Sequence, residues 1–210
     1  MPAEPSQWEQ IFRSAGHVLP EPAARVIQFA EKLRARGARS ILDLGCGSGR
    51  HVVHMSKIGL RVTGLDNAPT ALKLTREWLQ QEQLESNLIL ADMRQPLPFG
   101  NDSFDAVLST QVIHHALLAT VIATAQEIQR VVCSGGVVLI SVPARKAIEE
   151  DAPAHNEIEQ NTFVPTSGGE KGLPHHLFTP DEFRLLFPQF EVLDLQVIDN
   201  RIIALTASKR

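Results

Sequence analysis

Five short runs rich in Val, Ile and Leu recur along the first two thirds of the chain: 40–45 (SILDLG), 61–66 (RVTGLD), 87–91 (NLILA), 104–109 (FDAVLS) and 136–142 (GVVLISV). Runs this short and this apolar suit strands covered on both faces. Helical patterns occupy the gaps at 48–58, 68–82 and 117–131. The last of these carries Leu117, Leu118, Val121, Ile122, Ala125, Ile128 and Val131 as an i, i+3, i+4 stripe. Parallel strands need a crossover between them, and helices supply it here. The alternation therefore predicts a doubly wound α/β fold, a mostly parallel seven-stranded sheet with helices on both faces. Its last two strands are EVLDLQVI and RIIALTAS, which flank Asp199-Asn200. Both turn residues tolerate positive φ, so a tight C-terminal antiparallel hairpin is expected. At 210 residues the chain is read as one domain, 1–210.

Two helices are expected within residues 1–39. Ser6-Gln7-Trp8-Glu9 has the form of a capping box, with Ile11 and Phe12 on the face of Trp8. A second helix runs from Pro22 to about Arg36, with Val26, Phe29, Ala30 and Leu33 as its buried stripe and Gly37 as its stop. Both are expected to cover the sheet; the sharper alternative has Trp8 and Phe12 roofing a ligand cleft. The alternation breaks over residues 144–178, a polar stretch with three prolines that contains GLPHHLF. A long irregular connection of this kind is expected to act as a lid. Gly168-Gly169 and Gly172 would be its joints, and Phe163, Leu173, Leu177 and Phe178 its water-excluding surface. TPDEFRLLF then starts a helix, with Thr179 as N-cap and Pro180 in the first position.

Charge and cysteine content narrow the partners. Lys plus Arg total 20 against 24 Asp plus Glu, a net charge of −4, which gives no general pull on phosphate backbones or anionic lipid. Cys46 and Cys133 form no disulfide framework and fit a reducing compartment. MPAEPSQWEQ lacks a basic-then-apolar leader, and no run offers the roughly 20 apolar residues of a membrane span. The expectation is a cytoplasmic protein, monomer or homodimer, with a small-molecule partner and neither nucleic acid nor membrane.

ILDLGCGSGRH, residues 41–51, places three glycines on alternate positions directly after the first strand. A strand, a glycine turn and a helix bring backbone close to a nucleotide-like ligand. The dinucleotide fingerprint G-x-G-x-x-G requires a sixth-place glycine, where this chain has Arg50, and no G-K-[ST] follows to make a phosphate loop. The turn instead resembles motif I of the class I S-adenosylmethionine-dependent methyltransferases. Asp66, 21 residues after Gly45, matches the family's ribose-binding acid. Ala91-Asp92-Met93 matches the adenine-binding stretch, LPFGNDSFDAVLSTQVIHH the passage through strand four, and RVVCSGGVVLISVP the helix, turn and strand that follow.

The resemblance covers roughly residues 38–143 and implies S-adenosyl-L-methionine as cofactor. It implies that Asp43 balances the cofactor's ammonium and that Gly45, Cys46, Gly47 and Gly49 pass beneath its methionine part. Asp66 and Asn67 would hold the ribose, Asp92 and Met93 the adenine, and Thr110 would close the site after strand four. A carboxylate suits the ribose because it accepts two hydrogen bonds.

On the acceptor side, His114 and His115 follow the fourth strand, and His175 and His176 belong to the expected lid. His115 and His176 are the candidate catalytic bases. No metal is expected, because neither pair has helical i, i+4 spacing and sequence neighbours rarely point at one ion. His51 and His54 are expected to face solvent or neighbouring helices. The Asn/Asp-Pro-Pro-Tyr/Phe motif of amine and amide methylation is replaced by Ser109-Thr110-Gln111-Val112. GGEKGLPHHLFTPDEFRLLF resembles small stand-alone methyltransferases of the tellurite-resistance and small-molecule type. VIHH is similar to tRNA wobble-uridine methyltransferases. Transfer of a methyl group to a small molecule is therefore the first expectation. A tRNA-modifying enzyme and a cofactor-binding protein without transfer activity are the alternatives.

Overall fold

The computed structural model describes residues 6–145 and 154–210. Helices α1 (Gln7–Ala15) and α2 (Ala24–Ala35) precede β1 (Ser40–Leu44), α3 (Arg50–Lys57), β2 (Arg61–Asp66), α4 (Pro69–Gln81) and β3 (Asn87–Leu90). Then follow β4 (Phe104–Thr110), α5 (Leu118–Val131) and β5 (Val132–Pro143). After these come β6 (His155–Glu159), β7 (Thr162–Pro165), β8 (His175–His176), α6 (Pro180–Leu185), β9 (Phe190–Ile198) and β10 (Ile202–Lys209).

The main sheet has seven strands in the order β3-β2-β1-β4-β5-β10-β9. β1 to β5 pair in parallel, while β10 lies antiparallel between β5 and β9. The expected architecture is present. Side chains alternate across each strand, so one strand feeds two cores. Leu42, Leu44, Val107, Val138 and Ile140 pack against α5 and α6 through Val121, Ala125, Ile128 and Phe183. Ile41, Val62, Ala106, Leu108 and Leu139 pack against α2, α3 and α4 through Phe29, Leu33, Val52, Met55 and Leu72. Asp199 and Asn200 close the terminal hairpin with φ of 48° and 55°, as the turn requires.

Three expectations need correction. α2 covers the sheet, but α1 does not: Phe12 packs with Ala68 and Ala71 at the start of α4, outside both large cores. The capping box at α1 is half formed. Ser6 Oγ accepts from Glu9 N at 3.1 Å, but the Glu9 carboxylate reaches across to Thr70 N (2.8 Å) and Thr70 Oγ1 (2.7 Å). The segment beyond β5 is not irregular. Its described part holds a small antiparallel sheet, β6-β7-β8, while positions 146–153 lie outside the described residues. Leu177 and Phe178, expected on a lid, are 3% and 1% exposed and belong to the fixed interior. Alternation in the strand now called β7 hid behind its brevity, since four residues carry too little periodicity to read.

The reversal of strand order falls between β1 and β4. The carboxyl ends of these strands diverge there, which opens the crevice in which such sheets bind ligands.

Candidate active site

One cavity of about 730 Å³ lies over this edge. Its floor is the turn between β1 and α3. Gly45 N and Cys46 N both donate to Leu65 O, at 2.8 and 3.0 Å, which folds the turn back against β2. Gly45 has φ of 74°, and a Cβ there would lie 2.4 Å from the Val112 side chain. Gly49 has φ of 91°, and a Cβ would lie 2.6 Å from Thr75. Both positions need left-handed backbone and close approach at once, which only glycine combines without strain. At Gly47 a Cβ would meet the Phe12 ring at 3.2 Å, so α1 lies directly over the turn.

Asp66 ends β2, 9% exposed, and braces this floor. Its Oδ2 accepts from Gly47 N at 2.8 Å and its Oδ1 from Ala68 N at 2.9 Å. Burial pushes its pKa up, and the backbone N–H groups of Ala68 and Gly47 oppose that shift. Each oxygen keeps a second lone pair for a ligand. Asp43 is 1% exposed, and its Oδ2 has no hydrogen-bond partner. Burial raises its carboxyl to about 7, against the opposing charge of Arg50 and with that of Asp66.

Of the expected cofactor residues, Gly45, Cys46, Gly47, Asp66, Asn67, Asp92, Met93 and Thr110 line the cavity. Asp43 and Gly49 do not; one stands behind the turn and the other shapes it. Asp92 is already engaged. Arg94 donates from Nε and Nη2 to its carboxylate at 2.9 and 2.6 Å. Burial raises the Asp92 pKa, but the Arg94 hydrogen bonds outweigh it and hold the carboxyl low.

The roof differs from the main expectation. Trp8, Ile11 and Phe12 of α1 line the cavity, so the sharper alternative is the observed one. Gln7 Nε2 donates to Lys171 O, which joins α1 to the 168–174 loop across the opening. His51, expected to face solvent or a neighbouring helix, is 3% exposed and accepts from Ala23 N at the start of α2 at 3.4 Å, and it also lines the cavity. Burial lowers its pKa to about 3.

The acceptor wall carries His114, His115 and His175. His176, a candidate base, does not line the cavity; its neighbour His175 does. The strand alternation of β8 explains the exchange, since adjacent residues face opposite ways. His176 Nδ1 is hydrogen-bonded with Thr162 Oγ1 at 2.7 Å, and His176 N donates to His114 O at 2.9 Å. His115 packs edge-on against Trp8, with ring centroids 5.0 Å apart. Burial, helped by the nearby His175, lowers its pKa to about 3. A base that weak takes up little of an acceptor's proton near neutrality. The turn in which His115 N donates to Val112 O (3.1 Å) lays the His114 and His115 rings together, centroids 3.8 Å apart.

Sequence reasoning missed Gln111, Val112, Arg50 and Glu170 in the cavity wall. Gln111 holds φ of 57° and donates from its backbone to Ser141 O at 2.9 Å. A non-glycine residue in that region is strained and marks a site, but no sequence signal announces it.

The cofactor implied by the sequence fits this cavity on three counts. Gly45 and Gly47 put no side chain on the floor, Asp66 lines the lumen, and one buried Asp43 oxygen behind the turn has no hydrogen-bond partner. Comparisons with known proteins agree. Residues 42–140 match the family described as a methyltransferase domain. The 18S rRNA (guanine-N(7))-methyltransferase bud23 of Schizosaccharomyces pombe is 37% identical over 89 residues, 42% of this chain and 32% of that protein. The malonyl-(acyl-carrier protein) O-methyltransferase of Yersinia pestis is 25% identical over 181 residues, 83% of this chain and 64% of that protein. The chain thus spans about one third to two thirds of the length of these relatives. The fold matches the Burkholderia thailandensis 1,6-didemethyltoxoflavin-N1-methyltransferase, solved with bound 1,6-didemethyltoxoflavin and S-adenosylhomocysteine, with a TM-score of 0.69 at 19% identity, over 95% of this chain and 84% of that one. Residues 42–140 thus carry a methyltransferase domain, set on a seven-stranded, mostly parallel sheet of the Rossmann-like methyltransferase fold, and over that stretch the chain is similar to the class I S-adenosylmethionine-dependent methyltransferases.

Proposed function

We propose that this chain transfers a methyl group from S-adenosylmethionine to a small-molecule acceptor. The observation that carries this reading is the continuity of one cavity from the glycine turn to the histidine wall. At about 730 Å³ it falls in the range of ordinary small-molecule sites. The cofactor supplies a methyl already activated on a sulfonium, so the protein's work is to bind, align and exclude water.

Each wall has a part in that work. Gly45 to Gly47 and Asp66 bind the methionine and ribose portions, and Asp92 and Met93 flank the adenine. Trp8, Phe12 and the 168–174 loop exclude water. His115 and His175 orient the acceptor as uncharged hydrogen-bonding groups, and His176 positions His175 by anchoring β8. The size of the cavity and the net charge of −4 favour a small acceptor over RNA, while the bud23 likeness keeps RNA among the acceptors to test.

The test pairs a homocysteine-release assay over small hydroxyl, carboxyl, amine and thiol acceptors with tRNA and rRNA fragments. Turnover with a small molecule and none with RNA supports the proposal; turnover with RNA alone reassigns the substrate. The cofactor part is tested separately with Asp66→Ala. Losing the ribose acceptor should cost on the order of 2–4 kcal/mol of S-adenosylhomocysteine affinity. Calorimetry showing undiminished affinity in a folded variant would remove Asp66 from that role.

A further inference from the structure

Three imidazoles from two distant stretches meet at the acceptor wall. One ligand atom from each of His114, His115 and His175 lies within 4.8 Å of the other two. The His115 and His175 ring centroids are 4.6 Å apart, and those of His114 and His175 are 5.5 Å apart. Three ring nitrogens here, His114 Nδ1, His115 Nδ1 and His175 Nε2, are buried without a hydrogen-bond partner. One such orphan is an ordinary defect, whereas three in one cluster call for a common partner.

Three neutral imidazoles offer that partner lone pairs. An organic ligand would have to donate three hydrogen bonds into one small volume; a single cation meets all three nitrogens at once. We propose that His114, His115 and His175 form a site for a divalent transition metal whose remaining position opens on the cavity. An all-imidazole set selects zinc, iron, cobalt or nickel over magnesium and calcium, which prefer oxygen.

The spacing is compatible with closure on an ion. Nitrogens about 2.1 Å from a tetrahedral metal are about 3.4 Å apart, so the rings must draw in from 4.8 Å. His175 adjoins the 168–174 loop, which can follow. Glu170 Oε2, 3.5 Å from His175 Nε2, adds a carboxylate for charge balance beside the site. The open position suits an oxygen donor of the acceptor. A metal there lowers the pKa of a bound hydroxyl as it lowers that of bound water, and the released proton passes to Glu170 or solvent. The role rests on the methyl-transfer reading; the metal's binding does not.

The experiment uses the untagged full chain, stripped with a chelator and titrated with Co²⁺ in the absence of cofactor and acceptor. The visible d–d bands should rise to one equivalent. Fluorescence of Trp8, packed on His115, should be quenched along the same curve. His115→Ala and His175→Ala should each weaken Co²⁺ by on the order of 100-fold or more, as loss of a ligand demands. His54→Ala, on α3 and outside the cavity lining, should bind like the natural protein. X-ray absorption of the zinc-loaded natural protein reads the imidazole ligands without any variant, and three are expected. Absence of saturable Co²⁺ binding, fewer than two imidazoles on zinc, or undiminished binding in the doubly substituted chain would overturn the site. None of these outcomes bears on methyl transfer, which the homocysteine assay judges alone.

Discussion

Asp43 is a buried acid with one oxygen unpartnered and a carboxyl raised to about 7 from an ordinary value near 3.8. Between those two pH values the folded chain holds a proton that the unfolded chain releases. Its contribution to stability is therefore full below about 3.8 and declines as the pH rises toward 7. A cationic ligand beside it reverses the preference by favouring the charged form. Affinity for S-adenosylhomocysteine, whose ammonium Asp43 is expected to balance, should rise with pH up to about 7 and level off above it. Calorimetry in buffers of different ionisation enthalpy should detect a proton released on binding at pH 6, and Asp43→Asn should abolish it. A flat affinity from pH 5.5 to 8 would separate Asp43 from the ligand. The aspartates were legible in the sequence through the resemblance, which matches Asp43, Asp66 and Asp92 to successive strand ends in the family's order. Gln111 and Val112 were not, since their importance lies in a positive φ and in filling the space beside Gly45.

Elements announced by long periodicity came out as expected, and those held by single tertiary contacts did not. α5 could be read from seven apolar residues, but the Glu159 carboxylate that accepts from Leu118 N at 2.6 Å and starts it lies 41 residues away. α4 likewise has no N-cap side chain of its own and takes Glu9 from α1 instead. Burial raises the Glu9 pKa, but the Thr70 and Arg13 hydrogen bonds overcome this and set it below the usual carboxylate range. The contact is then complete above about pH 4.5 and lost as the pH falls through the lower folded value. Glu9→Ala should cost about 1 kcal/mol, the worth of a helix cap, and should free α1. Hydrogen exchange should accelerate over residues 7–15 and leave the sheet unchanged; no change in α1 would mean that Trp8 and Phe12 hold it unaided. At the opposite wall, the small sheet is tied down by Glu159 and by His176 N on His114 O, so among the described residues there the 168–174 loop is the part placed to move. Shortening Gly168–Gly172 should cut turnover at least tenfold with little loss of cofactor affinity, because Asp43, Asp66 and Asp92 lie elsewhere. Equal losses in both measurements would make the loop a fixed wall.

At the scale of the whole molecule, the cavity draws its walls from three separated stretches: α1 and the turn after it, the ends of β1 to β4, and the 168–175 strip. The middle stretch was legible because its chemistry is local, written in glycine spacing and strand ends. The outer two were not, because helical stripes and polar loops look alike whether they cover a sheet or a ligand. A ligand in this cavity touches all three, so it should tie their unfolding together. S-adenosylhomocysteine at one hundred times its Kd should add about 2.7 kcal/mol to stability. For a domain of this size that corresponds to a rise in Tm of roughly 5–11 °C. Trp8 in α1 and far-ultraviolet circular dichroism over the whole chain should then melt together. Without ligand, Trp8 should report an earlier transition, since α1 is joined to the body by Phe12, Glu9 and Gln7 rather than by either large core. Coincident melting in both conditions would mean that α1 belongs to the cooperative unit from the start. A ligand-induced rise in the dichroism transition alone would confine binding to the glycine turn and leave the roof open.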